Sequence, residues 1–331
     1  MDTEKVLHMN HGMGDNSYAN NSIIQVADLG CSSGPNALQM VSNVIDIVDN
    51  TSRNMNLKPP VFQFFLNDLF KNDFNSIFTL LPQFLKTLEE KKGHNFGPCF
   101  INAIPGTFYK KLFPDNFLHL VHSSFSLHWL SQAPKEFVNK ENIYLTRTSP
   151  PAMHKAYLEQ FRKDFKQFLK LRSQELVSKG GMVLTLIGRQ KTRHMRTAWR
   201  LFGRTLNDMV LENLIEEIKL ESFNLPLYDP TVEEAREVIE EEGSFSLQRL
   251  ESVIVGYDEG LDEDNKVDIN MRAEIITKQQ RAALEPLFKA QFGEPVMDEL
   301  FLRFKNKVVQ LMEAKTVLEF PTLIISLIKN A

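Results

Sequence analysis

The apolar positions of the first 190 residues fall into short runs, most closed by a polar or glycine turn and followed by residues at helical spacing. IIQVADLG (23–30) is such a run ending in Asp28 and Gly30, and CSSGPNALQMVSNVIDIVD (31–49) continues it as a tight polar turn and an amphipathic helix. PPVFQFFLNDL (59–69) predicts a second strand, and NDFNSIFTLLPQFLKTLEE (72–90) a helix broken at Pro82. GPCFINAIPGTFY (97–109) predicts a strand feeding a glycine turn, and FLHLVHSSFSLHWLSQ (117–132) a strand running into a helix or broad loop. AYLEQFRKDFKQFLKLRSQEL (156–176) has helical spacing, and GGMVLTLIGR (180–189) reads as a strong later strand. Strands alternating with helices imply an α/β fold whose mostly parallel sheet is covered on both faces.

Beyond residue 190 the texture changes. TAWRLFGRTLNDMVLENLIEE (197–217) and QQRAALEPLFKAQFG (279–293) read as helices, and YDEGLDEDNKVD (257–268) as an exposed acidic loop. The expected division is a core over 1–190, with a polar N-terminal arm at 1–22, and a mainly helical cap over 191–331 that closes the ligand site. The last run, PTLIISLIK, is expected to return to the core sheet as an edge strand.

Composition narrows the classes. With 331 residues, 43% hydrophobic and 24% charged, the chain can bury a full core. Lys plus Arg is 38 against 42 for Asp plus Glu, so a net charge of -4 makes a polyanion such as nucleic acid a poor partner. Two cysteines, Cys31 and Cys99, exclude a disulfide scaffold and a four-cysteine zinc site and fit the reducing cytoplasm. Neither a secretory signal nor an apolar run long enough to cross a bilayer is expected.

Four segments carry candidate chemistry. Glycines at the turn after Asp28, namely Gly30 and Gly34, let a ligand approach the backbone where a helix begins; the pattern fits a dinucleotide, S-adenosylmethionine or merely a tight turn. Asp68 ends the second strand, where a carboxylate can accept from ribose hydroxyls or cap a helix. In IPGTFY (104–109), Gly106 can expose backbone donors, Thr107 adds a hydroxyl, and Phe108 covers an adenine face or fills the core. HSSFSLHWLSQ (122–132) offers Trp129 as a flat wall with an indole N–H, His128 as donor or acceptor, and Phe125 as apolar area. No HExxH, GxSxG or GxxxxGK[ST] pattern is present, which leaves zinc-protease, nucleophile-elbow hydrolase and phosphate-transfer readings without support.

The chain resembles the plant SABATH family of small-molecule methyltransferases, which includes salicylate, benzoate and jasmonate carboxyl methyltransferases and the caffeine-pathway N-methyltransferases. The resemblance runs through VLHMNHGMGDNSYANNS, ADLGCSSGPN, FFLNDLFKNDFN, IPGTFYKKLFP, VHSSFSLHWLSQ, ESFNLPLY, EEEGSFSL, RAALEPLFKAQFGE and LIISLIK, almost the whole chain. It implies a Rossmann-like methyltransferase core, a helical cap and a homodimer. Tyr18, Ser22, Asp28, Gly30, Asn36, Asp68, Leu69, Thr107 and Phe108 are expected around S-adenosylmethionine, with Tyr18 near the transferred methyl. Trp129 and Gln25 are expected to donate to the acceptor, while His128, Phe125, Ala198, Trp199, Gln280 and Phe320 shape its pocket. Asn139, Glu221, Phe223 and Asn224 match a segment that can hold an optional structural magnesium ion. The family carries a helix of a few dozen residues between NNS and ADLG where only IIQV stands here, so Gln25 belongs either to the acceptor motif or to the start of the strand.

The implied reaction is methylation of the carboxylate of a small aromatic or alicyclic acid, giving a methyl ester and S-adenosylhomocysteine. A carboxylate is already ionised at neutral pH, so no residue is expected to act as acid or base, and Trp129 and His128 position the acceptor. N-methylation of a xanthine alkaloid is the alternative. A nicotinamide-dependent oxidoreductase and a noncatalytic binding protein are the readings from other classes.

Overall fold

The computed structural model describes residues 22–93, 97–134, 137, 142–146, 148–190, 198–259, 267–316 and 318–331. Its centre is a seven-stranded sheet in the order β3-β2-β1-β4-β5-β7-β6. The strands are β1 (Ile23–Leu29), β2 (Val61–Asp68), β3 (Cys99–Pro105), β4 (Leu118–Ser124), β5 (Leu176–Ile187), β6 (Phe245–Gly256) and β7 (Glu319–Lys329). β1 to β5 run parallel, and β7 lies antiparallel to both its neighbours, β5 and β6.

The apolar runs become strands because they are buried on both faces. Val26, Phe62, Phe64, Leu66 and Leu120 pack on one side of the sheet with helices α1 (Asn36–Asn54) and α2 (Phe74–Lys92). Ala27, Leu29, Val121, Leu184, Leu323 and Ile325 pack on the other with α3 (Pro151–Glu175) and α6 (Val232–Glu242). Each fully buried Leu or Phe contributes roughly 1.5–3 kcal/mol, so these two layers carry most of the fold. α2 runs through Pro82 instead of breaking there; Ile77 and Leu88, buried on either side of the proline, anchor both halves.

A third core joins α4 (Ala198–Leu211), α5 (Glu217–Glu221), α7 (Ile269–Phe292) and α8 (Met297–Glu313). Phe202 is its hub: it stacks on Phe304 at 4.0 Å and meets Phe288 and Phe301 at 5.2 and 5.6 Å.

One expectation is corrected. β7 is interior, not an edge, and β6 takes the edge; the nearly unbroken apolar run of β7 is what a strand paired on both sides and buried on both faces requires. The C-terminal run lies in the core sheet, and α6 and β6, also beyond residue 190, join the core layers with it. β6 was hidden from hydrophobic patterning because most of it is only half-buried and it carries Arg249 and Glu251.

Candidate functional site

The chain builds β1, β2 and β3 outward, then crosses back to place β4 against the other side of β1. Ligands of open α/β sheets bind at such a reversal, beyond the carboxyl ends of the strands. Asp28 and His122 are directly paired in register there, and Asp28 Oδ1 lies 2.7 Å from His122 Nδ1.

The turn after β1 is fixed by its neighbours. The N–H groups of Gly30 and Cys31 both donate to the Asn67 carbonyl, at 2.8 and 2.9 Å, and the Asn67 side chain in turn donates to Ile104 O and Gly106 O. Gly30 has a φ of +82°, and a Cβ there would lie 2.1 Å from Ser126 Oγ. Only glycine suits both conditions.

Asp68 ends β2 with each carboxylate oxygen accepting one backbone N–H, from Ser32 and from Leu69, both at 2.7 Å. Each oxygen keeps capacity to accept a second hydrogen bond, as ribose hydroxyls require. Asp73, not Asp68, caps the following helix α2. Burial raises the Asp68 carboxyl above the usual range, opposed by those two N–H bonds, and Asp28 raises it further. The Cys31 thiol is likewise pushed up by burial, then by Asp28 and Asp68, so it is inert. A strand-end carboxylate such as Asp68 suits the ribose of a methyl donor or of a dinucleotide alike.

The loop after β3 closes this side. A Cβ on Gly30 would lie 3.7 Å from the Phe108 ring, Phe108 meets Tyr109 and Phe168 edge-on, and Thr107 Oγ1 accepts from Tyr109 N–H. Leu69 and Asn36 are exposed at the same carboxyl ends, Leu69 just after β2 and Asn36 at the first turn of α1.

The loop after β4 reaches both halves of the site. Ser126 Oγ donates to Gly30 O, while Phe125, with φ of +52°, turns its ring edge-on to Phe320, 5.8 Å away. Tyr257 stacks edge-on against Phe320 at 4.6 Å and accepts the Ala198 N–H. Trp129 meets Trp199 at 6.3 Å and 73°, and His128 lies 5.9 Å from Trp129. A short antiparallel bridge between Trp129 and Leu227 holds that wall, with Tyr228 N–H donating to His128 O and Leu130 N–H to Pro226 O. These contacts bring Phe125, His128, Trp129, Ala198, Trp199 and Phe320 together.

Burial lowers the His128 pKa to about 3, so the ring is neutral. Its Nδ1 accepts from Ile187 N–H at 3.4 Å, which leaves the proton on Nε2 and makes His128 a donor. Trp199 Nε1 is buried without a partner, and so is Gln280 Oε1, which sits on the buried stripe of α7. A buried unmet polar atom costs about 1–3 kcal/mol, so both are candidates for ligand contact.

Two expected site residues are displaced. β1 begins directly at Ile23, so Ser22 precedes the strand and its carbonyl accepts from Val61 N–H, while Gln25 pairs in register with Gln63. At ~3.3 Å per residue, Ser22 and Gln25 lie roughly 20 and 10 Å down the strand from Asp28, at the end away from the site. IIQV is consumed as strand, leaving no chain to carry either residue back. Tyr18 and Asn139 lie outside the described residues.

The described residues expected for magnesium show no assembled set of ligands. The Phe223 ring is packed against Phe288 and Phe292, Asn224 donates to Phe137 O, and Asn224 Oδ1 is unpartnered. No cluster of three or more His, Cys, Asp or Glu is found among the described residues, and Mg2+ needs about six oxygens at tight geometry.

Four contributors escape sequence reasoning: His122, Ser32, Ser126 and Tyr257. His122 and Ser126 leave a trace, since both lie in HSSFSLHWLSQ, and His122 occupies on β4 the position that parallel pairing places beside Asp28.

The sequence model described as SAM dependent carboxyl methyltransferase matches residues 22–330. The chain belongs to that family. SABATH relatives include a probable caffeine synthase of Coffea canephora, 41% identical with all of this chain and 98% of the relative covered. A probable jasmonic acid carboxyl methyltransferase of Theobroma cacao is 40% identical with both chains fully covered. Among solved structures, a loganic acid methyltransferase with SAH superposes with a TM-score of 0.80 at 30% identity, over 98% of this chain and 91% of that one. The Coffea alignment spans 380 positions against 331 residues here, so the relative carries segments that this SABATH methyltransferase lacks. This protein is an S-adenosylmethionine-dependent methyltransferase with the family's Rossmann-like fold.

Proposed function

We propose that this methyltransferase esterifies the carboxylate of a small aromatic or alicyclic acid. The observation that carries the reading is the buried, unpartnered indole N–H of Trp199 beside Trp129, with the neutral His128 as a further N–H donor on the same wall. Such donors orient a carboxylate oxygen without the charge of an Arg or Lys that would hold the nucleophile back.

The donor, S-adenosylmethionine, supplies an electrophilic methyl on a sulfonium. Asp68 is assigned to the ribose hydroxyls, Phe108 to the adenine face, and Asp28 and the Gly30 turn to the charged end, with Asn36, Leu69 and Thr107 around them. Phe125, Phe320, Ala198 and Tyr257 exclude water from the acceptor, which strengthens attraction between carboxylate and sulfonium. His128 is too weak a base to take a proton, and an ionised acid needs none removed.

The second reading is N-methylation of a xanthine. Gln280 favours it, because a buried amide oxygen without a partner accepts a ring N–H. So does Asp229, whose carboxyl is raised by burial to about 7 and whose Oδ1 has no partner. Asp229 lies two residues after Leu227, the residue bridged to Trp129.

Labelled methyl transfer to benzoate, salicylate, jasmonate, loganate and xanthines, followed by mild base, tests the choice. A product that releases labelled methanol supports the ester reading; a base-stable product formed only from xanthines replaces it with N-methylation. A cytoplasmic homodimer goes with this reading, supported by the family resemblance and by two free thiols, Cys31 and Cys99. Magnesium is assigned no step.

A further inference from the structure

Arg172 and Glu175 are both fully buried near the end of α3, remote in sequence from every motif described above. Arg172 Nη1 donates to Phe108 O and Nη2 to Lys110 O, each at 3.0 Å, and Nη2 also reaches Glu175 Oε1 at 2.9 Å. Glu175 Oε1 accepts from Leu112 N–H at 2.7 Å and from Phe113 N–H at 3.2 Å. Arg172 Nε and Glu175 Oε2 are 2.8 Å apart but not aligned as a hydrogen bond. One turn earlier, Phe168 meets the Phe108 ring edge-on and lies under the Arg172 guanidinium.

A buried ion pair gains little over well-packed apolar residues unless its remaining donors and acceptors are met. Here the loop after β3 meets those of Nη1, Nη2 and Oε1, its carbonyls taking the arginine fork and its amides one carboxylate oxygen, while Arg172 Nε and Glu175 Oε2 keep only each other. Two carbonyls and two amides of residues 108–113 are fixed in this way, which leaves the loop one backbone path and sets where Phe108 sits against the Gly30 turn.

We propose that Arg172 and Glu175 are positioning residues for the methyl donor, a buried clamp that pre-organises the Thr107–Phe108 loop before S-adenosylmethionine binds. The proposal rests on assigning Phe108 to the donor side. It is tested in the full chain by calorimetric titration with S-adenosylhomocysteine of three variants: R172K, the double replacement R172M/E175L, and F108A. In the clamp variants the Kd is expected to rise about tenfold or more, with R172K between wild type and the double variant. The acceptor KM at saturating donor should stay within twofold. A merely structural role would instead lower the melting temperature and the active fraction while leaving Kd unchanged.

A folded double variant with unchanged Kd, alongside an F108A variant that has lost affinity, overturns the clamp. An F108A variant with unchanged Kd overturns the assignment of the loop to the donor, and the proposal with it. Hydrogen exchange of the wild type reads the same claim should the clamp variants not fold. The Leu112 and Phe113 amides are expected to be equally protected with and without S-adenosylhomocysteine, and protection that appears only with the ligand overturns pre-organisation.

Discussion

The hydroxyl of Tyr109 donates to the carbonyl of Trp129 at 2.7 Å, and this bond ties the loop assigned to the methyl donor to the loop assigned to the acceptor. Both loops leave carboxyl ends of strands and share no other described side-chain hydrogen bond. Methyl transfer demands alignment of the two substrates, so a bond between their carriers bears on rate more than on affinity. Tyr109→Phe is expected to cost about 1–2 kcal/mol, because the Trp129 carbonyl is left without that partner. The expected result is a kcat roughly 5 to 30-fold lower with donor Kd unchanged; an unaltered kcat would show that the loops hold their places independently.

In the proposed site Trp129 serves as both wall and donor. Trp129→Ala is expected to lower kcat/KM for the acceptor by about 2–4 kcal/mol, or roughly 30 to 1,000-fold, combining a lost hydrogen bond with a lost aromatic face. Trp129→Phe restores the face without the N–H and should fall between. Steady-state kinetics at saturating donor decide it, and near-normal efficiency of the alanine variant would remove Trp129 from the acceptor site.

Gly30→Ala combines two penalties. The backbone at φ of +82° disfavours a side chain, and the new Cβ would meet Ser126 Oγ at 2.1 Å and Ser126 Cβ at 2.5 Å. Ser126 belongs to the loop that carries Phe125 and Trp129, so relief of the clash moves the acceptor wall. Loss of S-adenosylhomocysteine binding by at least tenfold is expected, with a lower melting temperature. Restored binding in Gly30→Ala/Ser126→Gly would identify the clash, and not the torsion, as the dominant cost.

The placement of the residues assigned to the donor was legible in sequence for a physical reason. Asp28, Asp68 and Thr107 with Phe108 each follow an apolar run that could only be a buried strand, and parallel strands deliver their carboxyl ends to one edge. The acceptor half was legible only as composition: Trp129, Trp199, Phe125 and Phe320 come from a loop, a helix and a strand whose meeting depends on the third core. Ser22 and Gln25 were expected at the site from the resemblance alone, whereas the run IIQV itself reads as strand. Pairing of Gln25 with Gln63 decides for strand, at the wrong end of the sheet. Gln25→Ala should therefore leave the acceptor KM within twofold, and a rise of tenfold would mean that the strand start reaches the site.

Asp229 makes stability depend on pH. Burial raises its carboxyl from 3.8 to about 7, opposed by the hydrogen bond from Tyr144 and by Arg189. A carboxyl whose folded pKa lies above its unfolded value favours the folded state while protonated. Its stabilising contribution is therefore present below about pH 4 and is lost as pH rises through 7, by as much as ~4 kcal/mol. His128 works on the other limb: its pKa falls from 6.5 to about 3, so its contribution is present above 6.5 and is lost as pH falls toward 3. Between pH 5 and 8 the melting temperature of the wild type carries both trends. Asp229→Asn keeps an oxygen for Tyr144 and removes one ionisation, so its melting temperature should fall less, or rise more, than that of the wild type over this interval. Parallel curves for the two proteins would mean that Asp229 does not titrate there, and would take away its candidacy as the proton acceptor that N-methylation of a xanthine would require.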